Sequence, residues 1–186
     1  MSVSDIVEDR FLAAMQELLK TKSFEKLTVS EICKEASLSR GSFYNHFLDK
    51  YDLSFLHYRR QAEIEFERYK KSGDWLALTC NLYHHFLNHK DYYMTLVKQD
   101  SQNSFVPSLI KHSRPFFVDA VNAFHQGPLN EEELFSLNFN IYGAAYTAIE
   151  WIRNGMKESP EKMSQLVIKN TPWLYLIQID ETSESN

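Results

Sequence analysis

Apolar residues recur along most of the chain at the three- and four-residue spacing of an α-helix. The first set, Ile6, Phe11, Ala14 and Leu18, predicts a helix over residues 5–20. No segment alternates apolar and polar residues in the way that is typical of a half-buried strand. The 186 residues include only five glycines and five prolines, which favours long helices over a turn-rich β fold. The sequence therefore predicts an all-α protein.

The stretch from residue 27 to residue 50 predicts two short helices joined by a tight turn. Thr28 and Glu31 have the spacing of a capping box, which begins the first helix. Ser39 is placed to cap the second helix, over residues 40–45. Such a pair is typical of proteins that present a helix to the major groove of DNA.

Six further segments have helical patterning. The first, over residues 49–71, links the two halves of the chain. The others cover residues 75–88, 91–100, 107–125, 131–155 and 161–170. A short apolar segment after Thr171-Pro172 and a frayed polar tail from Asp180 complete the prediction. We therefore expect an N-terminal DNA-binding domain over residues 1–50 and a C-terminal helical domain over residues 51–186.

Charge is spread unevenly along the chain. The formal net charge of −5 does not by itself indicate nucleic-acid binding. Residues 20–50 carry six basic and four acidic residues, a local charge of +2, which leaves −7 for the rest. A mildly basic N-terminal part on an acidic body favours local contact with phosphates.

The N-terminus carries acidic residues where a secretory signal carries basic ones, and the longest apolar run, residues 173–179, is too short to span a bilayer. Cys33 and Cys80 both fall in apolar helical contexts, so we expect buried, reduced thiols. The expected location is the cytoplasm, with no membrane contact.

A run of residues between 27 and 53 matches a known DNA-binding pattern. The matching residues are Leu27-Thr28-Val29-x-x-Ile32, then Leu38-Ser39-Arg40-Gly41-Ser42-Phe43-Tyr44-x-His46-Phe47, then Lys50 and Leu53. This run resembles the DNA-binding domain of the TetR (tetracycline repressor) family of bacterial transcription regulators. Together with the helices on either side, the resemblance covers about residues 5–60. One departure is Ser37, where the family commonly has glycine in the turn.

The resemblance implies a regulator that binds double-stranded DNA in a sequence-specific way. Most such proteins are repressors that act as homodimers on a palindromic operator and are often released by a small-molecule effector. The resemblance implies neither an enzymatic activity nor a cofactor.

The resemblance also implies roles for individual residues. Arg40 would reach a guanine edge or a phosphate, Asn45 would face bases, and Gly41 would allow the helix to approach the duplex closely. The other DNA-binding candidates would contact phosphates or hold the backbone, and they are Thr28, Ser30, Ser39, Ser42, Tyr44, His46 and Lys50. His46 could instead brace this unit against the fourth helix, and Tyr44 could be a packing tyrosine with an exposed hydroxyl.

A C-terminal domain that dimerises through its last two long helices is a further implication. Helices 131–155 and 161–170 have faces of small and apolar residues suited to a four-helix interface across a twofold axis. The predicted interface residues are Leu137, Ile141, Ala144, Ala145, Ala148, Ile149, Ile152, Met163, Leu166 and Val167.

Aromatic residues are concentrated after Asp52, where they could line a ligand pocket or simply form the core. The candidates for a pocket are Tyr83, Phe86, Phe105, Phe117, Tyr142 and Tyr146. Polar residues such as Asn138, Asn140 or Glu150 would have to face inward to orient a ligand.

His84, His85 and His89 raise the question of a metal site, since His85 and His89 are four residues apart. No acidic residue stands at the H-E-x-x-H spacing, and Asp91 is the nearest candidate for a third ligand. Structural or surface histidines are the better interpretation, so no metal is expected. Two alternatives stay open: a DNA-binding regulator controlled by a partner protein, and a metal-dependent helical enzyme.

Overall fold

The computed structural model describes residues 2–98, 105–125 and 127–171, and these residues form ten α-helices with no strand. The helices are α1 (Val3–Leu19), α2 (Val29–Ala36), α3 (Arg40–His46), α4 (Lys50–Ser54), α5 (Leu56–Ser72), α6 (Trp75–Asn88), α7 (Lys90–Lys98), α8 (Phe105–Phe124), α9 (Glu131–Arg153) and α10 (Pro160–Lys169). The predicted all-α class is therefore confirmed. No described helix has the length and apolar character needed to cross a membrane.

Predictions that fall on the other residues lie outside this description. They are the end of the helix predicted to reach Asp100, the apolar segment from Pro172 and the polar tail from Asp180.

The linking helix predicted over residues 49–71 is divided at Phe55 into α4 and α5. Phe55 leaves the helical conformation, with φ −92° and ψ 2°, and its fully buried ring packs on Phe105 and His112 of α8 at centroid distances of 4.6 and 5.2 Å. The Ser54 carbonyl accepts a hydrogen bond of 2.9 Å from the Tyr92 hydroxyl. Contacts with the rest of the protein thus compensate for the interruption, and periodicity alone could not reveal it.

Helices α1 to α3 form an N-terminal bundle around an aromatic centre. Phe11, Phe43 and Phe47 are fully buried, and the ring of Phe11 meets those of Phe43 and Phe47 edge-on at 5.2 and 6.1 Å. Edge-to-face pairs of this kind add about 0.5–1.5 kcal/mol to the burial of the rings. The bundle therefore has its own core, in which Phe43 anchors the inner side of α3 and leaves the other side of the helix exposed.

The body, α5 to α10, has a second aromatic core. Phe66, Tyr69 and Trp75 are buried, and the Trp75 ring contacts both of the others. From α8, Phe117 contacts Phe66 and Phe124 contacts Tyr69. Much of the aromatic content after Asp52 therefore serves packing, which was one of the two interpretations left open.

Polar contacts join the N-terminal bundle to the body. Arg60 of α5 pairs with Glu8 at 3.0 Å and also with Asp9, both on α1. Gln16 Nε2 of α1 lies 3.0 Å from His57 Nε2 of α5. The junction is thus partly electrostatic, unlike the two aromatic cores on either side of it.

A group of histidines lies at this junction. The His57 ring stacks on His89 at 4.7 Å, His85 lies 4.8 Å from His89, and His85 Nε2 is 2.9 Å from the Tyr93 hydroxyl. Burial, reinforced by the nearby His89, lowers the pKa of His57 to about 4 and that of His85 to about 3. Both rings are therefore neutral in the folded protein at pH 7.

Acidification from pH 7 to pH 5 is expected to destabilise the protein through these two rings. The unfolded chain protonates each histidine below about pH 6.5, whereas the folded protein resists protonation down to the depressed pKa values. Above about pH 6.5 these rings are neutral in both states and cost no stability, and below it each ring costs stability until the pH reaches its folded pKa, about 4 for His57 and about 3 for His85. Urea unfolding at pH 7 and pH 5 measures the loss, which should be smaller in the double variant His57→Gln/His85→Gln.

His125 supplies the control for this measurement. Hydrogen bonds with the Gly127 carbonyl and Glu133 raise the pKa of His125, so its stabilising contribution is complete below about pH 6.5 and falls as the pH rises through the raised pKa. His125→Gln should therefore lose at least as much stability between pH 7 and pH 5 as the unmodified protein. An equal loss in the double variant would contradict the assignment to His57 and His85.

Candidate DNA interface

The turn between α2 and α3 forms with serine in place of the expected glycine. Ser37 is left-handed, with φ 52° and ψ 42°. Its N–H donates to the Lys34 carbonyl at 3.1 Å, and the Leu38 N–H donates to the Cys33 carbonyl at 3.0 Å, which is a Schellman motif. The left-handed conformation costs a non-glycine residue roughly 1–2 kcal/mol. The departure at Ser37 therefore adds strain without changing the turn.

Ser39 and Phe43 set the orientation of α3. Ser39 caps the helix, because its hydroxyl accepts the Ser42 N–H at 2.9 Å, and Phe43 is buried against Phe11. With Phe43 inward, Tyr44 is 51% exposed, and the Arg40 guanidinium lies 5.9 Å from the centroid of its ring. Arg40 and Tyr44 thus form one exposed unit on α3.

Gly41 is exposed on the same short helix, and nothing in the described part of the protein requires a glycine there. Within that part, a Cβ at this position would meet only the Ser39 hydroxyl, at an ordinary 3.7 Å. A helical glycine is about 0.5–1 kcal/mol less favourable than alanine. The absence of a side chain at Gly41 is therefore best explained by a molecule that comes close to α3, such as a DNA duplex.

Replacing Gly41 with alanine is expected to stabilise the fold and weaken DNA binding at once. The free energy of unfolding should rise by about 0.5–1 kcal/mol. A methyl group forced into a close interface costs about 1–3 kcal/mol, or roughly 5- to 150-fold in affinity. Urea unfolding and fluorescence anisotropy with the operator measure the two effects. Unchanged affinity would mean that the duplex does not approach Gly41.

Lys50 does not offer a free ammonium group for phosphate. Its Nζ donates hydrogen bonds of 2.8, 2.9 and 2.9 Å to the carbonyls of Phe24, Glu25 and Leu27, and these use its three N–H donors. Desolvation lowers the pKa of Lys50. In this conformation Lys50 holds the segment before α2, and its contact with the DNA backbone stays a prediction.

Two other predicted contacts have partners within the protein. His46 Nδ1 lies 3.4 Å from the Ser4 hydroxyl and 3.5 Å from Glu8 Oε1, so His46 braces α3 against α1 and not against the fourth helix. The Thr28 hydroxyl donates to Glu31 at 2.7 Å and accepts the Glu31 N–H. The remaining candidates have side chains or backbone at the surface, and they are Ser30, Ser39, Arg40, Gly41, Ser42, Tyr44 and Asn45.

The body contains a cavity of about 70 Å³ between α6, α8 and α9, next to α10. Three of the predicted pocket residues, Tyr83, Phe86 and Phe117, line it. The other three do not line it: Tyr142 and Tyr146 are 50% and 57% exposed. Phe105 packs on Phe55 in the core.

Polar groups missed by the sequence interpretation face this cavity. The Tyr58 hydroxyl lies 2.9 Å from the Ser113 hydroxyl, and both residues line the cavity together with Thr79. Burial raises the pKa of Tyr58 to about 12. Asn140 also lines the cavity, whereas Asn138 binds Arg114 and Glu150 is exposed. The pairing of Tyr58 with Ser113 joins α5 to α8 and has no local sequence signal.

The predicted dimer residues mostly face the core of their own protomer. Seven of them are no more than 7% exposed, and they are Leu137, Ile141, Ala145, Ala148, Ile149, Ile152 and Met163. Residues buried to this extent pack mainly within their own chain and offer little surface to a partner. Ala144 and Val167 are half-buried, and Leu166 is exposed.

The opposite side of α9 carries an exposed stripe that we call the aromatic face: Phe135, Phe139, Tyr142 and Tyr146. Phe135 and Phe139 are each 71% exposed, and their rings stack at 6.5 Å. Beside the stripe, an open groove of about 410 Å³ runs between α9 and α10, lined by Phe139, Gly143 and Leu166 among others. Contiguous exposed apolar surface of this kind marks an interaction site.

The three histidines considered as metal ligands lie apart. His85 and His89 pack with His57, while His84 Nε2 lies 2.8 Å from Glu161 of α10. They do not form a single site.

Two models of known protein families match this chain. Residues 11–55 match the family model described as "Bacterial regulatory proteins, tetR family", and residues 73–171 match one described as "Transcriptional regulator C-terminal region". No curated protein sequence gives a significant match.

Two solved structures have a similar fold. The dihydroxyacetone kinase operon activator DhaS is 18% identical with a TM-score of 0.58, over 93% of this chain and 97% of that one. A TetR transcriptional regulator from Streptococcus agalactiae is 18% identical with a TM-score of 0.55, over 90% and 94%. The two family matches together cover most of the helical fold. The chain therefore belongs to the TetR family, and it is a DNA-binding transcriptional regulator.

Proposed function

We propose that the protein is a homodimeric repressor that binds a palindromic operator through α3 of each protomer. The observation that carries the proposal is the exposed surface of α3, where Arg40 and Tyr44 flank a glycine that the fold itself does not require. Arginine paired with guanine is the commonest specific base contact. Asn45, also exposed on α3, offers an amide suited to adenine.

The dimer is proposed to form through the aromatic face of α9 and the adjoining groove. The four rings recur at spacings of four, three and four residues, so they follow one side of the helix. Burying each ring against a partner contributes about 1.5–3 kcal/mol. A twofold axis lets the same face serve both protomers, and two copies of α3 can then reach successive major grooves.

The test is selection of genomic DNA fragments by the purified protein, followed by binding at several salt concentrations. The proposal predicts a palindromic site whose half-sites are about one helical turn apart. Neutralising 6–10 phosphates should lower the affinity by about 10³–10⁵ between roughly 50 and 200 mM salt. Recovery of unrelated fragments with salt-independent binding would reject the proposal.

The cavity is proposed to bind a small, mainly apolar effector. Leu78, Leu82 and Phe86 supply apolar walls, and the hydroxyls of Tyr58 and Ser113 offer one polar point. An effector releases DNA only if it binds the non-DNA form better. A compound that raises the melting temperature and releases operator should do neither in Ala145→Leu, which fills the cavity while α3 stays unchanged.

Control by a partner protein is the second candidate, favoured by the size of the cavity. Its volume of about 70 Å³ is well below the roughly 300–1,000 Å³ of most small-molecule sites. Whether the regulator represses or activates is a separate question, and a reporter under the recovered operator answers it. Deletion of the regulator raises expression from a repressed promoter, whereas it lowers expression from an activated one, the direction that the name of the DhaS relative suggests.

A further inference from the structure

Cys80, His84 and Glu161 bring three metal-binding groups together between α6 and α10. Cys80 and His84 are four residues apart on α6, so they lie on one side of the helix. Glu161 comes from the first turn of α10. One ligand atom from each of the three side chains lies within 4.8 Å of the others, and His84 Nε2 is 2.8 Å from Glu161 Oε1.

The start of α10 is held firmly beside α6. The Trp151 indole N–H donates to the Glu158 carbonyl at 3.0 Å, and the Trp151 ring meets Tyr83 of α6 edge-on at 5.1 Å. Pro160 is buried, and its carbonyl accepts the buried Ser164 hydroxyl at 2.6 Å. Glu161 is thus presented to His84 by a packed helix start.

The donor set and its spacing suit zinc. Thiolate, imidazole and carboxylate bind Zn²⁺ at about 2.0–2.3 Å, which places tetrahedral ligand atoms roughly 3.3–3.8 Å apart. The present separations need only a small adjustment to reach this range.

A second histidine–carboxylate pair, His125 and Glu133, serves as a comparison for the group at Cys80. His125 Nε2 lies 3.1 Å from Glu133 Oε1, a geometry close to that of His84 and Glu161. Among the described residues, this pair belongs to no group of three ligands of the kind found at Cys80. An ordinary surface ion pair accounts for His125 and Glu133, but it leaves the placement of Cys80 unexplained.

We propose that Cys80, His84 and Glu161 bind one Zn²⁺ ion per chain, with water as the fourth ligand. Binding takes Cys80 as the thiolate and releases its proton, while His84 contributes a ring-nitrogen lone pair. The ion replaces the direct contact between His84 and Glu161. It joins α6 to α10, two elements that also border the body cavity. The site does not depend on the proposed operator, dimer or effector.

The test uses the untagged, reduced, metal-free full chain, titrated first with Co²⁺ and then with Zn²⁺. A thiolate-to-cobalt charge-transfer band should appear with one equivalent of Co²⁺ and disappear as Zn²⁺ displaces it. Substitution of a residue that only hydrogen-bonds to a metal ligand typically lowers metal affinity by roughly 10- to 100-fold. Loss of a ligand itself has a larger effect, so Cys80→Ser or His84→Gln should lower Zn²⁺ affinity by at least about 100-fold. Glu161→Gln should also weaken binding.

Cys33→Ser and His125→Gln are the matched controls, and both should bind Zn²⁺ like the unmodified chain. In that chain Zn²⁺ should also slow modification of Cys80 by a thiol reagent, a readout that needs no variant to fold. Burial raises the pKa of Cys33, so this thiol reacts slowly in either case. No charge-transfer band, a band that persists in Cys80→Ser, or affinity unaffected by His84→Gln would each overturn the proposal.

Discussion

Replacing Phe135 and Phe139 with aspartate is expected to yield a folded monomer that no longer binds its operator tightly. Both side chains are 71% exposed in the isolated protomer, so the substitutions remove no core packing. Four aromatic rings are lost from each dimer, at about 1.5–3 kcal/mol per ring. The sum of about 6–12 kcal/mol weakens the dimer by more than roughly 10⁴-fold. Analytical ultracentrifugation measures the mass, and circular dichroism the fold.

Ile64→Asp and Leu76→Asp are the controls for this result. Both residues are exposed apolar side chains, 47% and 46% accessible, on α5 and α6 away from the aromatic face. Either aspartate should leave the mass of the dimer and its operator affinity unchanged. A dimer that persists in Phe135→Asp/Phe139→Asp would move the interface to another surface.

Replacing Arg40 and Tyr44 with alanine is expected to abolish specific DNA binding while the dimer remains intact. Loss of an arginine–guanine pair costs about 1–3 kcal/mol in each half-site, and Tyr44 removes a further contact and the ring beside the guanidinium. Specific binding typically exceeds non-specific binding by about 4–10 kcal/mol, so the affinity should fall to the non-specific level. Anisotropy with operator and with scrambled DNA measures the two levels.

Lys71→Ala controls for the loss of positive charge, because Lys71 is exposed near the end of α5. It should bind operator as the unmodified protein does. If Arg40→Ala/Tyr44→Ala loses the dimer instead, this surface of α3 contributes to folding or assembly and not to DNA recognition.

Local sequence patterns predicted the elements that local interactions determine. The capping box of Thr28 and Glu31, the cap at Ser39 and the box of Asn130 and Glu133 all begin helices where expected. The chemistry of each cap lies within four residues of chain, so the sequence alone contains it. The predicted inward orientation of Phe43 is also observed, although the Phe11 ring that packs on it belongs to α1.

The face of α9 could not be predicted in this way. Its small and aliphatic stripe and its aromatic stripe both have helical spacing, and periodicity does not distinguish the protomer core from a partner. The structure buries Ile141 and Ile149 and exposes Phe139, because α8 and α7 pack against the aliphatic side. For the same reason, the sequence could not show that Tyr142 and Tyr146, predicted as candidates for a pocket, lie on the exposed side of α9.

Contacts between residues far apart in the chain could not be predicted from the sequence either. Lys50 meets carbonyl groups 23 to 26 residues earlier in the chain, and Glu161 reaches a histidine 77 residues away. Such contacts arise only once the helices have packed. No spacing rule along the chain connects them.

The break at Phe55 has a mechanical consequence. A continuous helix would transmit movement by bending, whereas here α4 and α5 meet at one non-helical residue whose ring is held by α8. Because α8 also borders the cavity through Leu109 and Ser113, we expect a shift of α8 to move Phe55. The axis of α4 would then tilt relative to α5 at this residue. Reorienting the DNA-binding surface then requires this ring to repack and the polar contacts of Arg60 and His57 with α1 to shift.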